Sequence, residues 1–485
     1  MKRRIAIVAL LLAVLVSVMP VFAAGTKDST ETAAMPTKIT AYLNRVLIAE
    51  DARDAVLAKH KELTGVELEV VMPPHGQYSQ VLTTSVMAGD IPDIMELTTA
   101  DYPAYAAQGL LVPLDDFIRS NPNTAKLNPA TYAGYRMSDG KVYGIPTWRG
   151  GGCVTYIRAD WLRNVGMSVP ITWDDYVKVL RAFTFNDPDR NGQKDTVGLA
   201  MPFQSGWEFD YYNRFIMQEA YLDFVNKNGR WYDGFTQPEM VAALERWIQL
   251  YKEGIIDPEF FTDNTGRART KIMEGQAGVL EHWVGTWGSR LHAGAKNIDP
   301  NADLVAIRSI QGTHYVDRIG QVLSIAATTA NPKAVFDNIV GTMWDQGEGQ
   351  ILWTYGVEGI HWQKAPAGSG YEFQMLPQPS NPDRSMQKSF IDPPLALNLE
   401  QFPVKVAQDP RDAESLRIHA LDSRPLSILS LGKVGLENIG ELRDAKREIF
   451  SKIVMGTLSI QDGLAQYRTI AERLNITTIL TELNS

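Results

Sequence analysis

The chain has 485 residues, with 47 Lys and Arg against 56 Asp and Glu, for a formal net charge of −9. An acidic chain without Lys/Arg clusters in its mature part argues against nucleic acid or an anionic lipid surface as partner. Its single cysteine, Cys153, excludes an intrachain disulfide, so stability must come from a conventional core, and the length allows two or more domains.

Basic Met1-Lys2-Arg3-Arg4 precedes an apolar run from Ile5 to Phe22 and then small residues, which is the plan of a secretory signal. Val21 and Ala23 suit cleavage after Ala23, giving a signal peptide over residues 1–23. Retention as a membrane anchor is the alternative, which Pro20 and the Ala-Ala-Gly that follows disfavour. Cleavage removes three cations and takes the formal charge from −9 to −12. With no cysteine nearby, lipid attachment at a signal-peptide cysteine is excluded, and the expected location is periplasmic. Residues 24–37 are small and polar and read as a flexible leader.

Next come a strand over 38–43, an amphipathic helix over 51–64 and an alternating strand over 66–71. A helix over 78–88 ends at Gly89-Asp90-Ile91-Pro92, and a third strand follows over 93–97. Strands alternating with helices imply a largely parallel sheet covered on both faces. The C-terminal stretch 437–484 is helical, with Gly432, Gly435 and Gly440 punctuating its start and Gly456 breaking it.

The loop 187–198, DPDRNGQKDTVG, carries the ligand pattern of an EF-hand. Asp187, Asp189, Asn191 and Asp195 fall at positions 1, 3, 5 and 9, with Gly192 at the tight turn and Gln193 offering its carbonyl. Position 12 holds Gly198 instead of a bidentate Glu, so the expected role is a structural Ca²⁺ and not a sensor. The competing reading is turn chemistry, with Asx side chains bonding their own backbone.

Several phrases in order resemble the extracellular solute-binding proteins of ABC importers, particularly the large oligosaccharide-binding type. They are MAGDIPDIMEL (87–97), GLLVPLDDFI (109–118), DGKVYGIPTW (139–148), YIRADWLRNVGM (156–167) with PITWDDY (170–176), YKEGIIDPEF (251–260), GQAGVL (275–280) and YGVEGIHW (355–362). The calcium-like loop also lies where alginate- and other oligosaccharide-binding members carry one. The resemblance implies an α/β, two-lobed periplasmic binding protein of type II, with a hinged cleft between lobes. By analogy, lobe one holds 38–149 and 305–350, and lobe two 150–304 and 351–485. It further implies a carbohydrate ligand, a monomer, and delivery to membrane permease subunits carried on other chains; no GxxxxGK[ST] sequence for ATP occurs here.

Sugars stack C–H patches on aromatic faces and need donors and acceptors around them, so aromatics on glycine-rich loops near the crossings are the candidates. These are Trp148 and Arg149 before Gly150-Gly151-Gly152, where glycines let backbone approach a ligand; Trp207 with Tyr211; Trp283 and Trp287 around Gly285; and Tyr355, His361 and Trp362. Arg149 suits a carboxylate or sulfate on an acidic sugar, or equally an interlobe salt bridge. Trp161, Trp173, Trp231 and Trp247 are assigned to the core, and Cys153 to a buried thiol. A glycosidase is the main rival reading, and it needs two carboxylates flanking a bond. Glu281, Asp210 and Glu358 are available, but Asp and Glu are too abundant for that to discriminate. A sugar sensor acting on a membrane receptor would use the same cleft.

Overall fold

The computed structural model describes residues 34–485, apart from Arg45, His75, Gly76, Ala100, residues 204–208 and Gln387, and the side chains of residues 382–384. The expected signal peptide and most of the leader lie outside the described residues. Alternation of apolar residues makes strands β1 (Lys38–Tyr42) and β2 (Glu67–Val71), whose Ile39, Ala41 and Leu68 are buried. Every residue of β3 (Ile94–Leu97) is buried. Helices Arg53–Thr64 and Tyr78–Met87 connect these strands.

The chain continues through β4 (Ile145–Pro146), β5 (Cys153–Arg158), β6 (Val197–Ala200), the hairpin of β7 (Phe224–Lys227) and β8 (Arg230–Asp233), β9 (Ala277–Trp283), β10 (Leu304–Ile307), β11 (Tyr315–Asp317) and β12 (Val322–Ile325). One sheet has the order β2-β1-β3-β12-β4, and a second the order β10-β5-β9-β6. Both are mixed, whereas the sequence reading expects largely parallel sheets. Strand β1 is parallel to β2 and β3, but β12 arrives from far downstream and runs antiparallel to both β3 and β4. In the second sheet only β6 and β9 are parallel.

The two sheets define two lobes, each with its own core. Trp161 and Trp247 are fully buried in the second, against Phe183 and Phe260, while Trp173 and Trp231 pack half-buried on it. Two expected lobe boundaries need correction. Residues 305–307 stay with the second sheet, because Val305–Ile307 pair antiparallel with Thr155–Ile157, and β11 then pairs with Ser423–Pro425. The second crossing therefore runs through 318–321. Residues beyond 350 do not leave the first lobe at once: Trp353, Phe390, Ile391 and Ala396 belong to its core. The chain returns by helix Pro410–Asp422, whose Ile418 packs in the second core.

Three helices, Lys433–Val454, Ile460–Arg473 and Ile476–Leu483, close the chain, and Gly456 at φ +80° follows the first. Gly435 and Gly440 lie inside that first helix and not ahead of it. Among the described residues no helix is long and apolar enough to cross a membrane.

Candidate functional site

The first crossing, 147–152, lies against the second. The Arg318 N–H donates to Gly151 O at 2.7 Å, and Gly152 bridges Asp317. A Cβ on Gly150 would fall 1.2 Å from Arg318 O, one on Gly152 2.1 Å from Val316 O, and one on Gly320 2.4 Å from Trp148 O. Gly150 and Gly152 are therefore required so that chain can approach chain, a role beyond the expected one of opening backbone to a ligand. All three glycines line the neighbouring cavity, Gly151 at φ +58°.

That cavity, about 580 Å³, lies between the lobes. From the first lobe come the segment after β1, with Asp51 and Arg53, and Glu96 on β3; from the second come Trp283, Trp287 and Arg290. A strap from Gln378 to Leu395, carrying Lys388 and Asp392, forms a third wall. Trp148, Trp283 and Trp287 are thus brought together as the sequence suggests. Trp283 ends β9, Gly285 at φ +75° turns the chain, and Trp287 begins the helix Trp287–Ile298.

Each indole carries a guanidinium over its face. Arg318 lies 4.9 Å from the Trp148 ring centre and 4.4 Å from that of Trp283, while Arg269 and Arg290 lie 4.4 and 5.1 Å from Trp287. Cation–π contacts of this kind hold a long side chain in one place. Arg318 Nε also donates to Gly150 O at 3.1 Å. A second cavity, about 1070 Å³, shares Thr286, Arg290, Asn381 and Met386 with the first and extends to Tyr355 and Phe373.

The remaining candidates fall elsewhere. Arg149 is exposed, does not line the cavity and pairs with Glu400, so its charge is already matched. Tyr211 is buried behind Trp283, 5.7 Å between ring centres, beside Cys153. Tyr355 lines the second cavity only. His361 is fully buried: its Nδ1 accepts from the Val357 N–H at 2.9 Å, which leaves Nε2–H to donate to Asp51 O at 2.8 Å. Trp362 stacks on Phe373 at 3.9 Å and donates to Gly356 O. His361 and Trp362 are thus spent on contacts with residues 51, 356, 357 and 373 and do not line the first cavity. Trp207 lies outside the described residues.

Sequence reasoning missed Arg53, Glu96, Arg290, Arg318, Lys388 and Asp392. Glu96 left a signal, being the one charge in the otherwise apolar strand IMEL. Burial raises its carboxyl to about 7, opposed by the Asn44 N–H at 3.0 Å and by the Lys388 and Arg318 charges. Burial also raises Asp392. Asp51 is occupied, accepting from Ser380 N–H at 3.0 Å and from Gln378 Nε2 at 2.8 Å.

The carboxylates considered for glycosidase chemistry do not face the cavity. Glu281 is buried on β9, takes hydrogen bonds from Arg214 N–H at 3.0 Å and the Thr155 hydroxyl at 3.3 Å, and is raised by burial to about 7. Asp210 accepts from Leu222 and Asp223 backbone N–H groups, and Glu358 is exposed.

Between helix Trp173–Phe185 and β6, the 187–195 loop folds around its own oxygens. Asp187 accepts from the Asn191 and Gly192 N–H groups, and Gly192 adopts φ +78°. The Asp189 and Asp195 carboxylates converge on Asn191 Nδ2, at 2.8 and 3.2 Å. Burial, and then the neighbouring Asp187 and Asp195, raise the Asp189 carboxyl, a crowding that a cation would relieve. Gly198 cannot supply the twelfth ligand: it lies in β6, where a Cβ would fall 2.7 Å from Leu180 O. Among the described residues no group of three or more His, Cys, Asp or Glu is already closed into a metal-holding cluster.

The family profile described as Bacterial extracellular solute-binding protein matches residues 41–339. Lipoprotein LipO of Bacillus subtilis (strain 168) is 26% identical over 365 residues, 70% of this chain and 69% of that protein. The polygalacturonan/rhamnogalacturonan-binding protein YtcQ of the same organism is 25% identical over 332 residues, 64% of each chain. These matches span about two thirds of the relatives' lengths. The solved structure described as S. pneumoniae ABC-transporter substrate binding protein FusA EF-hand mutant, in complex with fructo-nystose, superposes with a TM-score of 0.68. It covers 92% of this chain and 98% of its own at 18% identity, a likeness of fold.

Proposed function

This chain belongs to the bacterial extracellular solute-binding protein family, and on that premise we propose that it is the substrate-binding component of an ABC importer, with an oligosaccharide or polysaccharide fragment as its solute. The observation that carries the reading is the cavity at the crossings, where three indoles stand among guanidinium and amide groups. Sugar rings stack on such faces, and their hydroxyls take the surrounding donors and acceptors. The similarity to YtcQ, a polygalacturonan/rhamnogalacturonan-binding protein, and to FusA, solved in complex with fructo-nystose, supports a saccharide. Both are binding proteins, which supports capture without catalysis.

In this reading the protein works as a monomer in the periplasm, exported by a signal cleaved after Ala23, and hands its solute to permease transmembrane subunits. N-terminal sequencing and fractionation test the export step, with membrane attachment as the contrary result, since LipO is named a lipoprotein. Asp187, Asp189, Asn191, Asp195 and the Gln193 carbonyl would hold a structural Ca²⁺, which would tie helix Trp173–Phe185 to β6.

A thermal-shift screen against a glycan panel, with mass spectrometry of the recovered glycan, tests the function. A selective rise in Tm with intact glycan is expected, because a ligand of the folded state stabilises it by mass action. Cleaved glycan would make this an enzyme, and no shift with any glycan would remove saccharides as solute.

A further inference from the structure

We infer that the solute is a negatively charged saccharide, its acid groups read by Arg53, Arg318 and Lys388. This inference rests on the saccharide-capture reading above and narrows it to a ligand class. Arg149, the cation that the sequence suggested for such a role, is exposed and paired with Glu400. The cations that do line the cavity are Arg53, Arg290, Arg318 and Lys388. Arg53, Arg318 and Lys388 form no ion pair among the described residues, although the molecule as a whole is acidic and pairs its other cations widely.

Each of the three presents its charge to the cavity in its own way. Arg53 opens the helix Arg53–Thr64, where the helix dipole disfavours a cation, and its Nε is buried without a hydrogen-bond acceptor. Arg318 is pinned between Trp148 and Trp283, so its charge is presented where a sugar would stack. Lys388 faces the cavity from the strap.

The acids that share the cavity only partly offset these charges. Asp51 is engaged by Ser380 and Gln378, and burial raises both Glu96 and Asp392, which reduces their ionised fraction. Four cations against three carboxylates, two of them raised by burial, leave the cavity positive. A neutral glycan would leave that charge desolvated and unmatched, whereas a carboxylate or sulfate ester matches it with charge-assisted hydrogen bonds.

The test is titration calorimetry on the full mature protein with linear uronic-acid oligosaccharides, the same oligosaccharides after reduction of their carboxyls to hydroxymethyl groups, and sulfated neutral oligosaccharides of equal length. The uronic or sulfated set is expected to bind, with the uncharged counterpart at least tenfold weaker. Which of the two binds identifies carboxylate or sulfate as the anion. Lys388→Gln and Arg53→Gln should each weaken the charged ligand about tenfold, while Lys388→Arg retains it. Equal affinity for the carboxyl-reduced glycan would overturn the inference and leave saccharide capture standing. Failure of every charged and neutral glycan to bind would overturn both. The comparison of ligands on the unaltered protein decides the matter even where a variant fails to fold.

Discussion

Glu96→Gln should flatten the pH dependence of stability by a calculable amount. In the folded protein burial moves this carboxyl from 4.5 to about 7. A folded state that holds its proton more tightly than the unfolded chain is most favoured below pH 4.5, and it loses that advantage as pH rises to about 7. The full span corresponds to roughly 3 kcal/mol. Glutamine resembles the protonated acid in shape and can still accept the Asn44 N–H, so the variant should escape this loss. Glu281, raised in the same direction, remains in both proteins, and the buried histidines His60, His282 and His314, lowered by burial, act in the opposite sense in both. The difference between the two proteins therefore isolates Glu96. Urea denaturation at half-unit intervals from pH 4.5 to 8 should show Glu96→Gln gaining on the parent by roughly 3 kcal/mol across the window. Parallel stability curves would mean that Glu96 is solvated, and would remove it from the interior of the cavity.

Gly150→Ala places a Cβ 1.2 Å from Arg318 O, so the crossings must separate; a loss of about 3 kcal/mol or more in chemical denaturation is expected. His361→Ala strips two buried backbone groups, Asp51 O and Val357 N–H, of their partner and should cost about 3 kcal/mol in the same assay, while glycan affinity changes little. Trp283→Ala frees one face of Arg318 and should weaken the solute at least tenfold, or about 1.4 kcal/mol, by titration calorimetry. EDTA should lower Tm and added Ca²⁺ restore it, the ion adding about 2.7 kcal/mol of stability at a hundredfold excess over Kd, with Asp187→Ala/Asp195→Ala indifferent to both; no response in the unaltered protein would leave the loop a turn.

What was legible in the sequence was what short-range patterning encodes. The strands and helices of residues 38–97 follow from alternation and helical spacing, and the structure shifts their limits by only a residue or two. Trp161 and Trp247 could be assigned to the core because their neighbours lie on the same apolar faces. Trp148, Trp283 and Trp287 were identifiable from the glycines that re-aim the chain beside them. The failures share one cause, which is partners distant in sequence. His361 meets Asp51 across 310 residues, and no local window reveals that its ring is consumed there. The strand 304–307 looks like any other until Thr155–Ile157 claims it for the second sheet. Arg53, Arg290 and Lys388 resemble ordinary surface cations, because only the tertiary fold turns them into one cavity.

The glycines and the cation at the crossings belong to one device. Gly150 and Gly152 allow residues 316–318 to lie against the first crossing, and the Arg318 N–H then bonds Gly151 O. That contact fixes the Arg318 backbone, and the bond from Nε to Gly150 O fixes the start of its guanidinium. The two indoles on either side come from different elements, Trp148 from the first crossing and Trp283 from the end of β9 in the second lobe. The position of the Arg318 charge thus depends on both crossings and on the second sheet together. A side chain placed for recognition on a loop of one lobe would be insulated from the geometry of the other; Arg318 is not. Any substitution that loosens the contact between crossings must therefore disturb the aromatic–cation stack, even when the substituted residue never meets a solute.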